Sequence, residues 1–293
     1  MLTLKSVISN KFNFILILIV LLLLGGGFFA YQKFVASRAQ EQVLEEVDLA
    51  FDAEGPYAIL YPRRDGNALV LNLKRTGSYD KISYDLAYVS DNGDNTEAGS
   101  DGASAGIDRG VSGDINTKDK KGEYEQEILF GTCSKNICKY DTGVENGTLT
   151  LHIQKGNKAY RMITQWHIQK PDVALGKLTS GDTHLVYQID KSSANELSLT
   201  SYSIINDLSG APKLPSDKQV MGKVYAVNVP VAKIMPPGSI TIELAEAPPQ
   251  DAKITRFDET SGKWIEMDTK INGSTLTASS DSAGVITVLS SKK

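Results

Sequence analysis

Beyond Phe51 this chain repeatedly places large apolar side chains at every second position, and that period decides what it can fold into. Leu69, Leu71 and Leu73 alternate with Val70, Asn72 and Lys74; Ile82, Tyr84, Leu86 and Tyr88 alternate with Ser83, Asp85 and Ala87. The pattern returns at Leu149, Leu151 and Ile153, and again at Tyr160, Met162, Thr164, Trp166 and Ile168. Successive side chains of a strand point to opposite faces, so this alternation predicts antiparallel sheets with one buried face. No long amphipathic helix interrupts the strands, which excludes the α/β enzyme folds. The fold class expected is mainly β.

The strands fall into two blocks with a boundary near Lys170-Pro171-Asp172. The second block offers strand candidates at 224–229, 240–244, 254–257, 263–267, 275–278 and 285–289. Turn residues separate them: Pro236-Pro237-Gly238, Pro248-Pro249, Ser261-Gly262, Asn272-Gly273 and Ala283-Gly284. Two tandem antiparallel β-sandwich domains are therefore expected, 53–170 and 174–290, a size that suits ordinary domains.

The amino-terminal part follows other rules. Residues 14–31, FILILIVLLLLGGGFFAY, carry no charge, and their 18 positions in helical form cover about 27 Å against a hydrocarbon thickness of roughly 30 Å. This predicts a signal-anchor helix over 13–31 behind a tail of 1–12. A cleaved signal peptide is a second reading, although cleavage after Ala30 would place bulky Phe28 at −3; a buried core helix is a third. From 32 to 51 there is no Gly or Pro, and Val35, Ala39, Val43 and Val47 recur every four residues, which predicts a short amphipathic helical stalk. Flanking positive charge is nearly balanced, with Lys5 and Lys11 before the run and Lys33 and Arg38 after it. The downstream flank soon turns acidic at Glu41, Glu45, Glu46 and Asp48.

The two cysteines of the chain, Cys133 and Cys138, sit in CSKNIC between strand-like stretches. A hairpin there would set them opposite one another, and the pair suggests a disulfide and an oxidising compartment. With the acidic flank, this places the carboxyl-terminal domains outside the cytoplasm. The formal net charge of −4 and the lack of a basic cluster argue against nucleic acid as a partner.

Several of these elements resemble known modules. An opening GKLTSGDTHLVYQI, a Pro237-Gly238 turn before a strand, a hairpin running from Asp258 to Trp264, and Ala283-Gly284 before Val285 resemble the ZU5-like β-sandwich modules of bacterial cell-surface proteins. The first block, a cysteine hairpin followed by two long strands, is similar to immunoglobulin-like modules of anchored bacterial surface proteins. It lacks the widely spaced cysteines and intervening tryptophan of true immunoglobulin domains. The resemblance spans most of 53–290 and implies adhesion, scaffolding or assembly rather than catalysis.

Residue chemistry offers little against that expectation. His152 and His167 lie opposite the apolar faces of their strands and point to solvent in the simplest register; side by side on neighbouring strands they would supply two metal ligands without a third. His184 follows a Gly181-Asp182-Thr183 turn. HExxH, GxSxG, the P-loop and the dinucleotide fingerprint are absent. Residues 91–123 are dense in Asp, Asn, Gly and Ser and read as a long loop. Within it Asp91, Asp94 and Asn95 resemble the start of a calcium loop, a weak candidate metal site because the spacing and the closing Glu differ from an EF-hand. Asn146-Gly147 and Asn272-Gly273 read as hairpin turns, each also within an N-x-[ST] triplet.

The function expected is a non-enzymatic, membrane-anchored surface protein that presents its β-domains to a protein or glycan ligand, without a cofactor. The alternative is a structural subunit of a membrane-anchored envelope assembly whose sandwiches act as spacers.

Overall fold

A computed structural model of the protein describes residues 44–91, 106–118, 122–135, 137–169, 176–191, 200–231 and 234–292, together with Leu22, Leu23, 25–28 and Tyr31. The chain divides into two units, Met1–Glu45 and Glu46–Lys293. In the first, Leu22, Leu23, 25–28 and Tyr31 are helical and exposed, whereas Leu44 and Glu45 are in neither helix nor strand. Most of the expected span and stalk lies outside the described residues, and among those described no helix is long and apolar enough to cross a membrane.

The second unit is mainly β. Its first block carries β1 (Glu46–Asp48), β2 (Tyr57–Pro62), β3 (Ala68–Lys74), β4 (Lys81–Ser90), β5 (Ile107–Ile115), β6 (Glu123–Leu129), β7 (Gly131–Ser134), β8 (Ile137–Tyr140), β9 (Asn146–Lys155) and β10 (Lys158–Gln169). The second carries β11 (Lys177–Thr179), β12 (Leu185–Ile189), β13 (Tyr202–Ile205), β14 (Lys218–Asn228), β15 (Gly238–Glu243), β16 (Lys253–Asp258), β17 (Lys263–Glu266), β18 (Thr269–Asn272), β19 (Thr275–Ser280) and β20 (Gly284–Ser291). The alternating stretches of the sequence are β3, β4, β9 and β10, and each buries the predicted face: Leu149, Leu151, Met162 and Trp166 are at most 2% exposed.

One sheet runs through both blocks. Its order is β17-β16-β20-β14-β13-β10-β9-β4-β5, with β1 added in parallel to the start of β10. Strand β10 pairs with β13 through Trp166↔Ile205 to Gln169↔Tyr202, so the expected division near residue 170 does not interrupt the hydrogen-bonded ladder. Two smaller sheets cover it. The three-stranded β2-β3-β6 closes one core with Leu60, Leu71, Leu86, Leu151 and Trp166; the five-stranded β11-β12-β15-β19-β18 closes another with Leu185, Tyr187, Ile240, Tyr225 and Ile286.

The central strands serve both cores. Val224 and Ala226 of β14 face the first while Tyr225 and Val227 face the second, and Val285 and Ile286 of β20 divide in the same way. A strand covered on both faces has no polar face to show, which explains the near-continuous apolar runs of VYAVNV and VITVL, whose Asn228 and Thr287 are themselves buried. The seam between β2 and the large sheet is polar but satisfied. The Ser203 hydroxyl donates to the Leu60 carbonyl, Asn228 Nδ2 donates to the same oxygen at 3.4 Å, and Ser209 Oγ donates to the Pro56 carbonyl at 2.9 Å. The free edge of β2 is thereby tied to its neighbours rather than left open.

Three local expectations are corrected. The segment 91–123 is not a single loop, because β5 lies within it and pairs with β4 over its whole length, from Ser90↔Ile107 to Ile82↔Ile115. Its small residues bury little, and the backbone ladder holds it in place. The stalk helix does not extend to residue 51, because 46–48 form β1. There Val47 is 60% exposed, while Arg161 pairs with Asp48 and His152 pairs with Glu46. Asn146-Gly147 is no turn either; it opens β9, with Gly147 opposite both Tyr88 and Trp166. Asn272-Gly273 is the expected tight turn, between β18 and β19, with Gly273 at φ 61°.

Candidate functional site

Strands β7 and β8 pair only with each other and project as a hairpin. Their register sets Cys133 opposite Cys138 and Ser134 opposite Ile137, leaving a two-residue turn in which Lys135 takes φ 50°. The cysteines form the expected disulfide, S–S 2.02 Å with Cα atoms 4.1 Å apart. Closing so short a loop restrains the tip rather than the domain. Ile137 beside it is 78% exposed, an apolar side chain held out on a cross-linked support.

The base of the hairpin is bound firmly to the body. Gly131 has φ 126°, and a Cβ there would meet the Lys139 carbonyl at 2.2 Å, so the two strands start at a separation only glycine permits. The Asp141 amide donates to the Phe130 carbonyl at 3.1 Å, and the Phe130 amide donates to the Asn67 carbonyl at 2.9 Å. The Phe130 ring stacks on Trp166 at 5.8 Å and meets Tyr88 edge-on at 4.9 Å. Tyr88 Oη donates to Asp141 at 2.8 Å, and Arg109 lies 3.4 Å from the other carboxylate oxygen. Burial, with the adjacent Asp141 carboxylate, pushes the Tyr88 phenol up to about 12, so it remains a donor throughout the neutral range. Arg63, gripped by Asp65 at 2.7 Å, stands over the Tyr140 ring.

Asp91 reaches the same end of the molecule. Its amide donates to the Thr142 carbonyl at 2.8 Å, and its carboxylate lies where a Cβ on Gly143 would stand. Asp94 and Asn95, its companions in the calcium expectation, lie outside the described residues. Among the described residues no three His, Cys, Asp or Glu side chains converge to hold a metal.

The histidines are set apart. His152 is opposite Arg161 and His167 opposite Asn146 on the β9–β10 ladder, six positions away, or roughly 20 Å at the strand rise. They are not side by side. His152 Nδ1 approaches Glu46 at 2.9 Å and Nε2 approaches Asp85 at 2.9 Å, while His167 Nδ1 is 2.7 Å from Asn146 Oδ1. Burial lowers the His167 pKa and favours its neutral form. His184 Nδ1 is 3.6 Å from Asp182.

A further cluster escapes sequence reasoning. Lys223 Nζ bridges Asp182 at 3.0 Å and Asp207 at 3.1 Å, linking the β11–β12 turn to the middle of β14 and to the segment just after β13. Burial raises the Asp207 pKa despite the lysine. For Asp182 burial acts in the same direction but is outweighed by hydrogen bonds from Ser180, Lys223 and the His184 amide, and its pKa is lowered. These three residues come from three separate elements and form no motif. The Gly181-Asp182-Thr183 turn was the one part visible beforehand. With both carboxylates sharing one cation, the cluster pins two layers together.

No family model matches the chain, and no curated protein matches it.

Proposed function

We propose that the chain is a non-enzymatic, membrane-anchored surface protein whose β-scaffold presents the stapled hairpin to a ligand outside the cytoplasm. The observation that carries this reading is the hairpin itself, with Ile137 78% exposed beside a disulfide and a base locked by Phe130, Asp141 and Tyr88. A loop already fixed in its binding conformation loses less conformational entropy on association, so one apolar anchor on such a tip contributes more than the same residue on a mobile loop. Three features support the setting: the uncharged run 14–31, a disulfide suited to an oxidising compartment, and the resemblance of both blocks to modules of anchored bacterial surface proteins.

The test uses the full chain in its native cells, with a photoreactive phenylalanine at position 137. Irradiation is expected to give a discrete higher-mass adduct, and protease added to intact cells is expected to remove it. Adducts formed only from photoreactive residues placed before Glu46, with none at 137, would instead establish the envelope-assembly reading, in which the β-domains are spacers.

A further inference from the structure

Asn-Gly pairs occur three times in the chain, and one of them, Asn92-Gly93, lies outside the described residues. The other two, Asn146-Gly147 and Asn272-Gly273, are alike in composition and opposite in setting. An asparagine followed by glycine is open to attack on its side chain by the next backbone nitrogen, because glycine has no Cβ to obstruct the ring that forms. In a folded chain the attack needs that nitrogen and the carboxamide to be free.

At Asn272 both are free. Asn272↔Thr275 is the closing pair of the β18–β19 hairpin, so Gly273 and Ser274 form its turn. A positive φ at Gly273, 61°, and none at Ser274 make this a type II′ turn, in which the amide of the first central residue lies beyond the last rung of the ladder. Asn272 and Gly273 are exposed, and the Asn272 carboxamide makes no hydrogen bond among the described residues. The turn is held through Ser274, whose carbonyl accepts from the Leu244 amide at 2.9 Å, and not through either reacting group. At Asn146 both are engaged. The Ile168 amide donates to the Glu145 carbonyl at 2.6 Å, and hydrogen-bonded pairs alternate along an antiparallel ladder. Gly147↔Trp166, two positions on, is therefore again a hydrogen-bonded pair and occupies the Gly147 nitrogen. The Asn146 Oδ1 atom is 2.7 Å from His167 Nδ1, and β4 flanks the pair on its other side through Tyr88↔Gly147.

We propose that Asn272 is a site of spontaneous deamidation in the folded protein, and that the fold protects Asn146. The Gly273 nitrogen gives up its proton to base and bonds to Asn272 Cγ; the Cγ–Nδ2 bond breaks, and Nδ2 leaves as ammonia with that proton. Water then opens the five-membered imide, at Cγ to give aspartate or at the backbone carbonyl carbon to give isoaspartate. Either product adds a carboxylate to the turn. Isoaspartate also routes the main chain through the side-chain carbon, which lengthens the backbone at the closing pair and breaks its register. Strand β18 is the edge of the five-stranded layer, so no further strand holds it there. Its other end is fixed, because Thr269 pairs with Ala278 and its Oγ1 accepts from the Ile254 amide at 2.9 Å. The loss of structure is therefore confined to Lys270, Ile271 and Asn272.

The test warms the full protein, in phosphocholine micelles and mildly alkaline buffer, over a series of days. Trypsin places Asn146 and Asn272 on separate peptides, and chromatography with mass spectrometry resolves the asparagine, aspartate and isoaspartate forms of each. Asn272 is expected to convert about tenfold faster than Asn146 or more, since Asn146 reacts only when its part of the ladder opens. In concentrated urea the two should convert at similar rates. Equal rates in the folded chain overturn the proposal, as does an Asn272 that converts in urea but not in the folded state. A difference that persists in urea also overturns it, because the cause would then be the neighbouring residues and not the fold. Hydrogen exchange compares the aged protein with Asn272→Asp, which carries the new charge on a normal backbone. Faster exchange at residues 270–272 in the isoaspartate fraction is the expected result, and exchange equal to that of Asn272→Asp would refute the loss of register. None of these readouts involves a ligand or position 137, so the proposal stands or falls apart from the reading of the hairpin.

Discussion

The two halves of the large sheet are built by opposite rules. In the half made by β4, β9 and β10, burial alternates along most of each strand: Met162 is 1% exposed and the next residue, Ile163, is 44% exposed. In the half made by β14 and β20 it does not alternate, and Ala226 and Val227 are both buried, as are Val285 and Ile286. One hydrogen-bonded sheet therefore changes from half-covered to fully covered at the β10–β13 junction. The side chains record how many layers lie against each strand rather than which domain it belongs to.

Adjacent substitutions expose this difference most strongly. Ala226→Asp and Val227→Asp should each cost about 4 kcal/mol or more, since either parity buries a charge, and Met162→Asp should behave likewise. Ile163→Asp, one residue on, should stay within about 1 kcal/mol. Urea midpoints of the four variants check the pattern, and a severe loss at Ile163→Asp would mean that the outer face of β10 is covered, not open as it is among the described residues.

A smaller effect is expected where the covered half is pinned. Lys223→Met leaves Asp182 and Asp207 without their shared cation and should lower stability at pH 7 by about 1.5–3 kcal/mol. The two carboxyls have opposite signs. The contribution of Asp182, whose folded pKa is depressed, is present above its unfolded value of about 3.9 and is lost as the pH falls through the folded value. That of Asp207, whose folded pKa is raised, is present below about 3.9 and is lost as the pH rises through the folded value. The gap between native and Lys223→Met chains should therefore close on acidification, once both carboxyls are protonated and the lysine has no anion to meet. Denaturant unfolding at neutral and acidic pH measures it.

At the hairpin the expected stability change is smaller than the functional one. Replacing both cysteines with serine should remove about 2 kcal/mol at most by the chain-entropy estimate. The yield of adduct at position 137 should fall by a much larger factor. Equal adduct yield with and without the disulfide would show that the staple does not prepare the tip for binding.

The strands of the bare half were readable in advance because half-burial writes a period of two into Leu149 to Ile153 and Tyr160 to Ile168. The third layer was present in the sequence in a less obvious form. VYAVNV and VITVL are strands at any reading, but their lack of a polar face is what signals cover on both sides. Strand β5 was hidden because IDRGVSGDI has almost nothing to bury and depends on backbone pairing with β4. Gly147 was misread for a related reason. The Asn-Gly pair is a strong turn signal, yet here the glycine makes room for the Trp166 ring. Of the candidate sites, the disulfide was plain from a separation of 5 residues. The Asp182–Lys223–Asp207 cluster was not, because it assembles residues from distant elements that only the sheet order brings together.

The short strand β1 also has a mechanical side. It joins the end of β10 near the β9–β10 turn, with Glu46 opposite Ala159, whereas the stapled hairpin precedes the far end of β9, roughly 30 Å away along the strand. A pull between Glu46 and the hairpin tip at Ile137 would run parallel to these strands. Such a load strains the rungs of the ladder together instead of peeling them singly. The Asp48–Arg161 and Glu46–His152 contacts would be the first to bear it, and because Asp48–Arg161 is an exposed ion pair its grip should slacken as salt rises. Strand β1 would then part from β10 before the strands of the large sheet part from one another.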